Sequence, residues 1–177
     1  MKMETTVKLS QYLLASALLI GAFSGARAQS QEVKLGDLVI TQPWVRAAPK
    51  GSELTSGYLT IENKGATANR LVGGSTGVAE KLQIQKTSKA GGATTATPLE
   101  GGLAIAPGEK VALVPGSYKL ALLKLNAKLT KGTQAPISLE FEKGGKITVS
   151  FDVLGPAATG PVAPKAGSGA DSGKTKK

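Results

Sequence analysis

The 177 residues hold 22 Lys and Arg against 12 Asp and Glu, a net charge of +10, with no His, no Cys and two Met. The lack of His and Cys removes the commonest general base, the thiol nucleophile and the usual zinc ligands. Basic residues are scattered without an arginine cluster, and aromatics make up only 4% of the chain. That excludes the dense basic patch or stacking platform of a nucleic-acid binder.

The first segment reads as an export leader. Lys2 and Lys8 stand beside a single acid, Glu4, before an apolar run over residues 12–25. Ala26, Arg27 and Ala28 follow, with small residues at the two positions a signal peptidase inspects. The run is too short, and too broken by Gly and Ser, for a lasting membrane span of about 20 residues. Residues 1–28 are therefore expected to be a signal peptide cleaved after Ala28. This places the remaining 149 residues (177 minus 28) in the periplasm with no stable membrane anchor. A lipid anchor at the cleavage site needs a cysteine, which the sequence lacks. Met1 and Met3 leave with the leader, so the processed chain has no His, Cys or Met.

From Glu32 to Leu154 the apolar period is two, the signature of half-buried strands. Gly36 and Asp37 fit a hairpin turn feeding Leu38, Val39 and Ile40. Residues 58–62 read as a strand. In residues 81–86, Leu82 and Ile84 point inward while Gln83 and Gln85 point outward. Residues 111–114 and 118–122 follow, the latter with Tyr118, Leu120 and Leu122 inside and Lys119 and Ala121 outside. The clearest unit comes last. Ile137, Leu139 and Phe141 share one face, as do Ile147, Val149, Phe151 and Val153. Gly144 and Gly145 supply the turn between them. Turn signals fall at 49–51, 63–65, 73–74, 91–92, 101–102, 107–108, 115–116 and 131–132. No segment carries a helical stripe, so the expected fold is all-β, a sandwich or barrel over residues 32–154.

Residues 155–177 lose apolar order and become rich in Pro, Gly, Ala and Lys. Such a segment buries too little surface to offset its ordering entropy, so a disordered tail is expected. It serves solubility or a weak electrostatic tether to an acidic partner or membrane.

Chemistry-bearing motifs are few. The acids form no EF-hand spacing or carboxylate cluster, and no nucleophile elbow occurs. The chain is thus expected not to be an enzyme. Trp44 reads as a large core or edge aromatic beside the first strand, and with Arg46 as an anion contact it is also a candidate recognition pair. Tyr58 and Tyr118 read as inward aromatics whose hydroxyls reach the rim.

The segments ITQPWVR (40–46), GYLTIEN (57–63), NRLVG (69–73), PGE (107–109), PGSY (115–118) and LEFE (139–142) occur here in an order and spacing that carry a resemblance. Over roughly residues 34–153 the chain resembles the PCu(A)C family of periplasmic copper chaperones. The resemblance implies a cupredoxin-like Greek-key β-sandwich and an extracytoplasmic setting. For typical members it implies delivery of Cu(I) toward the copper centre of cytochrome c oxidase, through a His, a Met and a later His-x-Met. Here the matching positions are Gln85, Ala96, Lys119 and Ala121, so no metal ligand is expected at any of them. A carboxamide, two methyls and an ammonium replace imidazole and thioether. The resemblance therefore supports a non-enzymatic accessory protein with a protein partner, of unspecified oligomeric state, and with no cofactor. Its recognition surface would hold Trp44, Arg46, Gln85 and Lys119. Copper would enter only through a non-standard site, either at a new amino terminus on Gln29 or completed by a partner.

Overall fold

A computed structural model describes residues 31–90 and 92–161. The leader expected at 1–28, the amino terminus on Gln29 and the residues beyond Pro161 lie outside them. Eleven strands follow in chain order: β1 (Glu32–Leu35), β2 (Leu38–Arg46), β3 (Leu54–Asn63), β4 (Asn69–Thr76), β5 (Ala79–Ala90), β6 (Ala93–Pro98), β7 (Leu103–Ile105), β8 (Lys110–Leu113), β9 (Tyr118–Leu125), β10 (Gln134–Phe141) and β11 (Gly145–Leu154). Hydrogen-bonded neighbours run β6-β5-β9-β3-β2-β11-β10-β4-β7, with β1 on β2 and β8 on β3. All pairs are antiparallel except β11 with β2, where Asp152, Val153 and Leu154 run alongside Trp44, Val45 and Arg46. This is the Greek-key, cupredoxin-like sandwich expected from the sequence.

Alternation builds the core. Ile84, Leu120, Leu122, Leu59, Ile61, Val45, Ile137, Leu139, Val149, Phe151 and Val153 are all buried in one apolar cluster. Gly57 lies on the same inner face, and a Cβ there would rest 3.5 Å from the Leu120 Cβ and 3.7 Å from Phe151 Cε1. The last hairpin matches the sequence reading, with Ile137 opposite Val149 and Leu139 opposite Ile147. Its turn places both Gly144 and Gly145 at positive φ, where an L side chain is strained.

Two local features depart from simple alternation. In β2, Thr41 pairs with Thr60 but Trp44 pairs with Tyr58, so β2 carries one extra residue between the pairs. Gln42 absorbs the kink at φ 53, and Pro43, which has no N–H to give a ladder, is accommodated at this bulge. In β4 the expected turn at Gly73 and Gly74 is instead strand, paired with Glu140 and Leu139. The glycines serve close approach here rather than reversal, because a Cβ on Gly74 would strike the Ser138 carbonyl oxygen. The sequence reading also left β4, β6 and β7 unassigned.

The described chain runs on past Leu154, where the tail was expected to begin. The Ala158 amide donates to the Gly155 carbonyl at 3.0 Å. The Arg46 Nε donates to the Ala158 carbonyl at 3.1 Å, tying the turn after β11 to the end of β2.

Candidate functional site

The topology gathers all four ligand-matching positions on one sheet face. Gln85 on β5 stands directly opposite Lys119 on β9, and Gln83 opposite Ala121. On the other side of β5, Gln85 pairs with Pro98 and Thr87 with Ala96. Because side chains alternate with a period of two, Gln85, Ala96, Lys119 and Ala121 all point away from the Ile84 and Leu120 core face. Ala96 is on strand β6 rather than in a loop.

The expectation that Gln85 and Ala121 sit outward is correct for direction and wrong for exposure. Gln85 is only 9% exposed and Ala121 is fully buried. Lys119 is half-buried and Ala96 is exposed. Outer-face packing across neighbouring strands explains the burial. Ala121 also pairs with Ser56 of β3, and one step further along that face come Tyr58 and Lys119. Tyr58 then pairs with Trp44 of β2.

Tyr58 is expected from sequence to point inward, and the structure corrects this. Trp44 and Tyr58 are each 3% exposed, yet both stand outside the main apolar cluster. They pack on each other on the opposite face, ring centroids 4.4 Å apart and planes tilted by 32°. Tyr58 turns outward by the alternation of β3, where Leu59 and Ile61 are inward, and Trp44 is brought to the same face by the bulge at Gln42. The bulge shifts the phase of β2, so that Ile40 and Val45 both enter the core and Trp44 turns to the other side. Tyr118, by contrast, is half-buried against the core cluster as expected.

Arg46 lies over this aromatic pair, with Cζ 5.6 Å from the Tyr58 ring centroid. That is within the range of a cation–π contact. The Thr55 hydroxyl donates to the Arg46 carbonyl at 2.9 Å and fixes the strand end. The four residues proposed for recognition from sequence, Trp44, Arg46, Gln85 and Lys119, therefore fall on one continuous face. Sequence reasoning missed Tyr58 as their link, although the alternation of β3, with Leu59 and Ile61 inward, places it on the outer face.

The electrostatics are those of a cation pair. Partial burial, and secondly the charge on Arg46, hold the Lys119 ammonium below its ordinary value of 10.5. Among the described residues, neither Arg46 nor Lys119 belongs to an ion pair. Below the folded-state pKa both folded and unfolded chains carry the proton, and the full cost of confining the charge stands. Between that value and 10.5 the unfolded chain binds more protons, so stability rises with pH; above 10.5 the cost is gone. Lys119→Met is accordingly expected to melt at a higher temperature than the parent at pH 7. The gap should close as the pH passes 10.5. Equal melting temperatures at pH 7 would show that the ammonium is freely solvated.

The donor set does not fit a soft metal. A carboxamide and an ammonium flanked by two methyl side chains offer no thioether, imidazole or thiolate, and a cation at Lys119 repels another. Among the described residues, no group of three or more His, Cys, Asp or Glu side chains could hold a metal ion.

The sandwich and its strand order define a cupredoxin-like fold, the fold of PCuAC domains. The PCuAC domain from PmoF1 in its apo form is 28% identical, with a TM-score of 0.58, and the match covers 71% of this chain and 100% of that one. A copper-bound PCuAC domain from PmoF2 is 25% identical, with a TM-score of 0.56 over 71% of this chain and 99% of that one. The chain itself belongs to the LpqE-like family, described as "Putative lipoprotein LpqE-like", whose profile matches residues 38–153. Among its relatives is "Putative lipoprotein Lxx21020" of Leifsonia xyli subsp. xyli (strain CTCB07). That protein is 28% identical over 156 residues, covering 85% of this chain and 93% of its own length.

Proposed function

We propose that this protein is an exported, PCuAC-like accessory protein that works by contacts with a protein partner and without the Cu(I) site of the PCu(A)C family. The observation that carries this reading is the set of substitutions on one face. Gln85, Ala96, Lys119 and Ala121 stand where the resemblance places ligands, and the pair nearest the centre, Gln85 with Lys119, brings a positive charge. A face that presents a carboxamide and an ammonium in place of metal donors is suited to recognition. Trp44, Arg46, Gln85 and Lys119 form that surface.

Export is supported by the leader-like composition of residues 1–28 and by the lipoprotein description of the family. On this reading cleavage follows Ala28, the functional domain spans residues 32–154, and residues 155–177 form the basic tail. The family description implies a lipid, but these 177 residues contain no cysteine thiol to carry one. Among the described residues, no helix is long and apolar enough to cross a membrane.

Titration of the purified protein with Cu(I) against a competing chelator tests the reading. No stoichiometric retention of Cu(I) is expected. Tight one-to-one binding by the isolated protein would overturn the proposal and establish a copper carrier with a site of another kind.

A further inference from the structure

The recognition face has a defined chemistry. Arg46 spends its Nε on the Ala158 carbonyl at 3.1 Å, which holds the guanidinium over the Tyr58 ring. Its two terminal nitrogens, the Lys119 ammonium and the Gln85 carboxamide make no hydrogen bond to the described residues. A carboxylate on the neighbouring strand, Asp152, stands cross-strand from Trp44. It accepts from Gln134 Nε2 at 3.1 Å and forms no ion pair with Arg46. Lys81 lies further along the same face and is exposed.

From this geometry we infer that Arg46, Lys119 and Gln85 form a carboxylate-binding site floored by Tyr58 and Trp44. It deepens the proposed function and rests on that reading, namely that this face takes up another molecule in place of copper.

Three considerations select a carboxylate. Two half-buried cations in each other's field gain from an anion that neither finds within the described protein, and the slightly dry aromatic floor strengthens such contacts. A guanidinium presents two parallel N–H groups to a planar two-oxygen acceptor, with ammonium and carboxamide donors left for the remaining lone pairs. A phosphate site would call for backbone N–H groups aimed at the ligand. On this face those groups lie in the sheet plane and are engaged in the β5–β9, β3–β9 and β2–β3 ladders.

Trp44 is the single tryptophan of the chain and lies against Tyr58, the ring that Arg46 covers, so its emission reports occupancy. The purified protein is titrated at low ionic strength with a capped Gly-Glu-Gly peptide, with acetate, and with inorganic phosphate at matched ionic strength. Saturable binding of the carboxylates is expected, roughly millimolar for a single group. Lys119→Gln and Arg46→Gln should each weaken it at least tenfold, while Lys81→Gln leaves it unchanged. A peptide bound at least tenfold more tightly than acetate assigns the carboxylate to a polypeptide side chain. Equal affinity assigns it to a free organic acid at the same site. Phosphate binding tighter than carboxylate, no saturable response, or full binding by Lys119→Gln overturns the inference. Lys119→Gln keeps the test decisive should Arg46→Gln disturb the chain end at Ala158. Cu(I) retention by the parent would defeat the proposed function instead, so the two failures are told apart.

Discussion

A fourfold variant carrying Gln85→His, Ala96→Met, Lys119→His and Ala121→Met is expected to retain one Cu(I) per chain where the parent retains none. The strand register supplies the reason. Gln85 and Lys119 are a directly opposed pair, and Ala121 is the next residue on the same face of β9. Ala96, opposite Thr87, lies on the far side of β5 and on the opposite diagonal from Ala121, which faces Gln83. Directly opposed positions on adjacent strands hold their Cβ atoms about 5 Å apart and diagonal ones about 7–8 Å apart. The donors at 85, 119 and 121 therefore come within reach of one ion, while the one at 96, a further strand away, adds least. Soft donors are what Cu(I) selects. A gain of at least about a thousandfold in affinity, roughly 4 kcal/mol, is the expected scale.

The charge term decides which of the four changes matters most. A unit positive charge about 4 Å from the metal opposes binding by about 4 kcal/mol at an effective dielectric of 20. A triple variant that keeps Lys119 should thus lose most of the gain. Ala121 is fully buried, and a methionine there costs about 1–3 kcal/mol of overpacking. Circular dichroism and a melting curve must accompany the copper titration. A folded fourfold variant with no Cu(I) retention would show that this face does not have the spacing of a ligand set.

Strong alternation made the fold legible. The β10–β11 hairpin, β5 and the start of β9 alternate large apolar residues with polar or small ones, so their apolar residues report direction without help from the rest of the chain. β6 gave no such signal, because all six of its residues are exposed and Ala and Thr serve either face. Gly73 and Gly74 misled because a glycine needed for close approach looks, in sequence, like one needed for a turn. The site was legible in its residues and not in its burial. Nothing in the order Thr41, Gln42, Pro43, Trp44 states that one residue is extra. That single insertion brings Trp44 to the outer face, where it stacks on Tyr58. A proline inside a strand pattern was the available clue, since it is admitted at bulges and edges.

The same insertion makes Trp44→Ala the most damaging single change expected on the outer face. Trp44 is as buried as most of the core, although it stands apart from the core cluster. Truncating a buried tryptophan removes its transfer energy and leaves a cavity, together costing about 3–5 kcal/mol. It also removes the ring against Tyr58 at 4.4 Å, an aromatic contact worth about 0.5–1.5 kcal/mol beyond area. Trp44→Phe keeps most of the apolar contact and should cost less than half as much. Urea denaturation followed by circular dichroism measures both, as the variants lack the tryptophan signal. If Trp44→Ala costs less than about 1 kcal/mol, the aromatic pair is a loose covering, not a second packed layer. Arg46 would then have no rigid floor from which to present its guanidinium, and the carboxylate site would lose the preorganisation that distinguishes it from two surface cations.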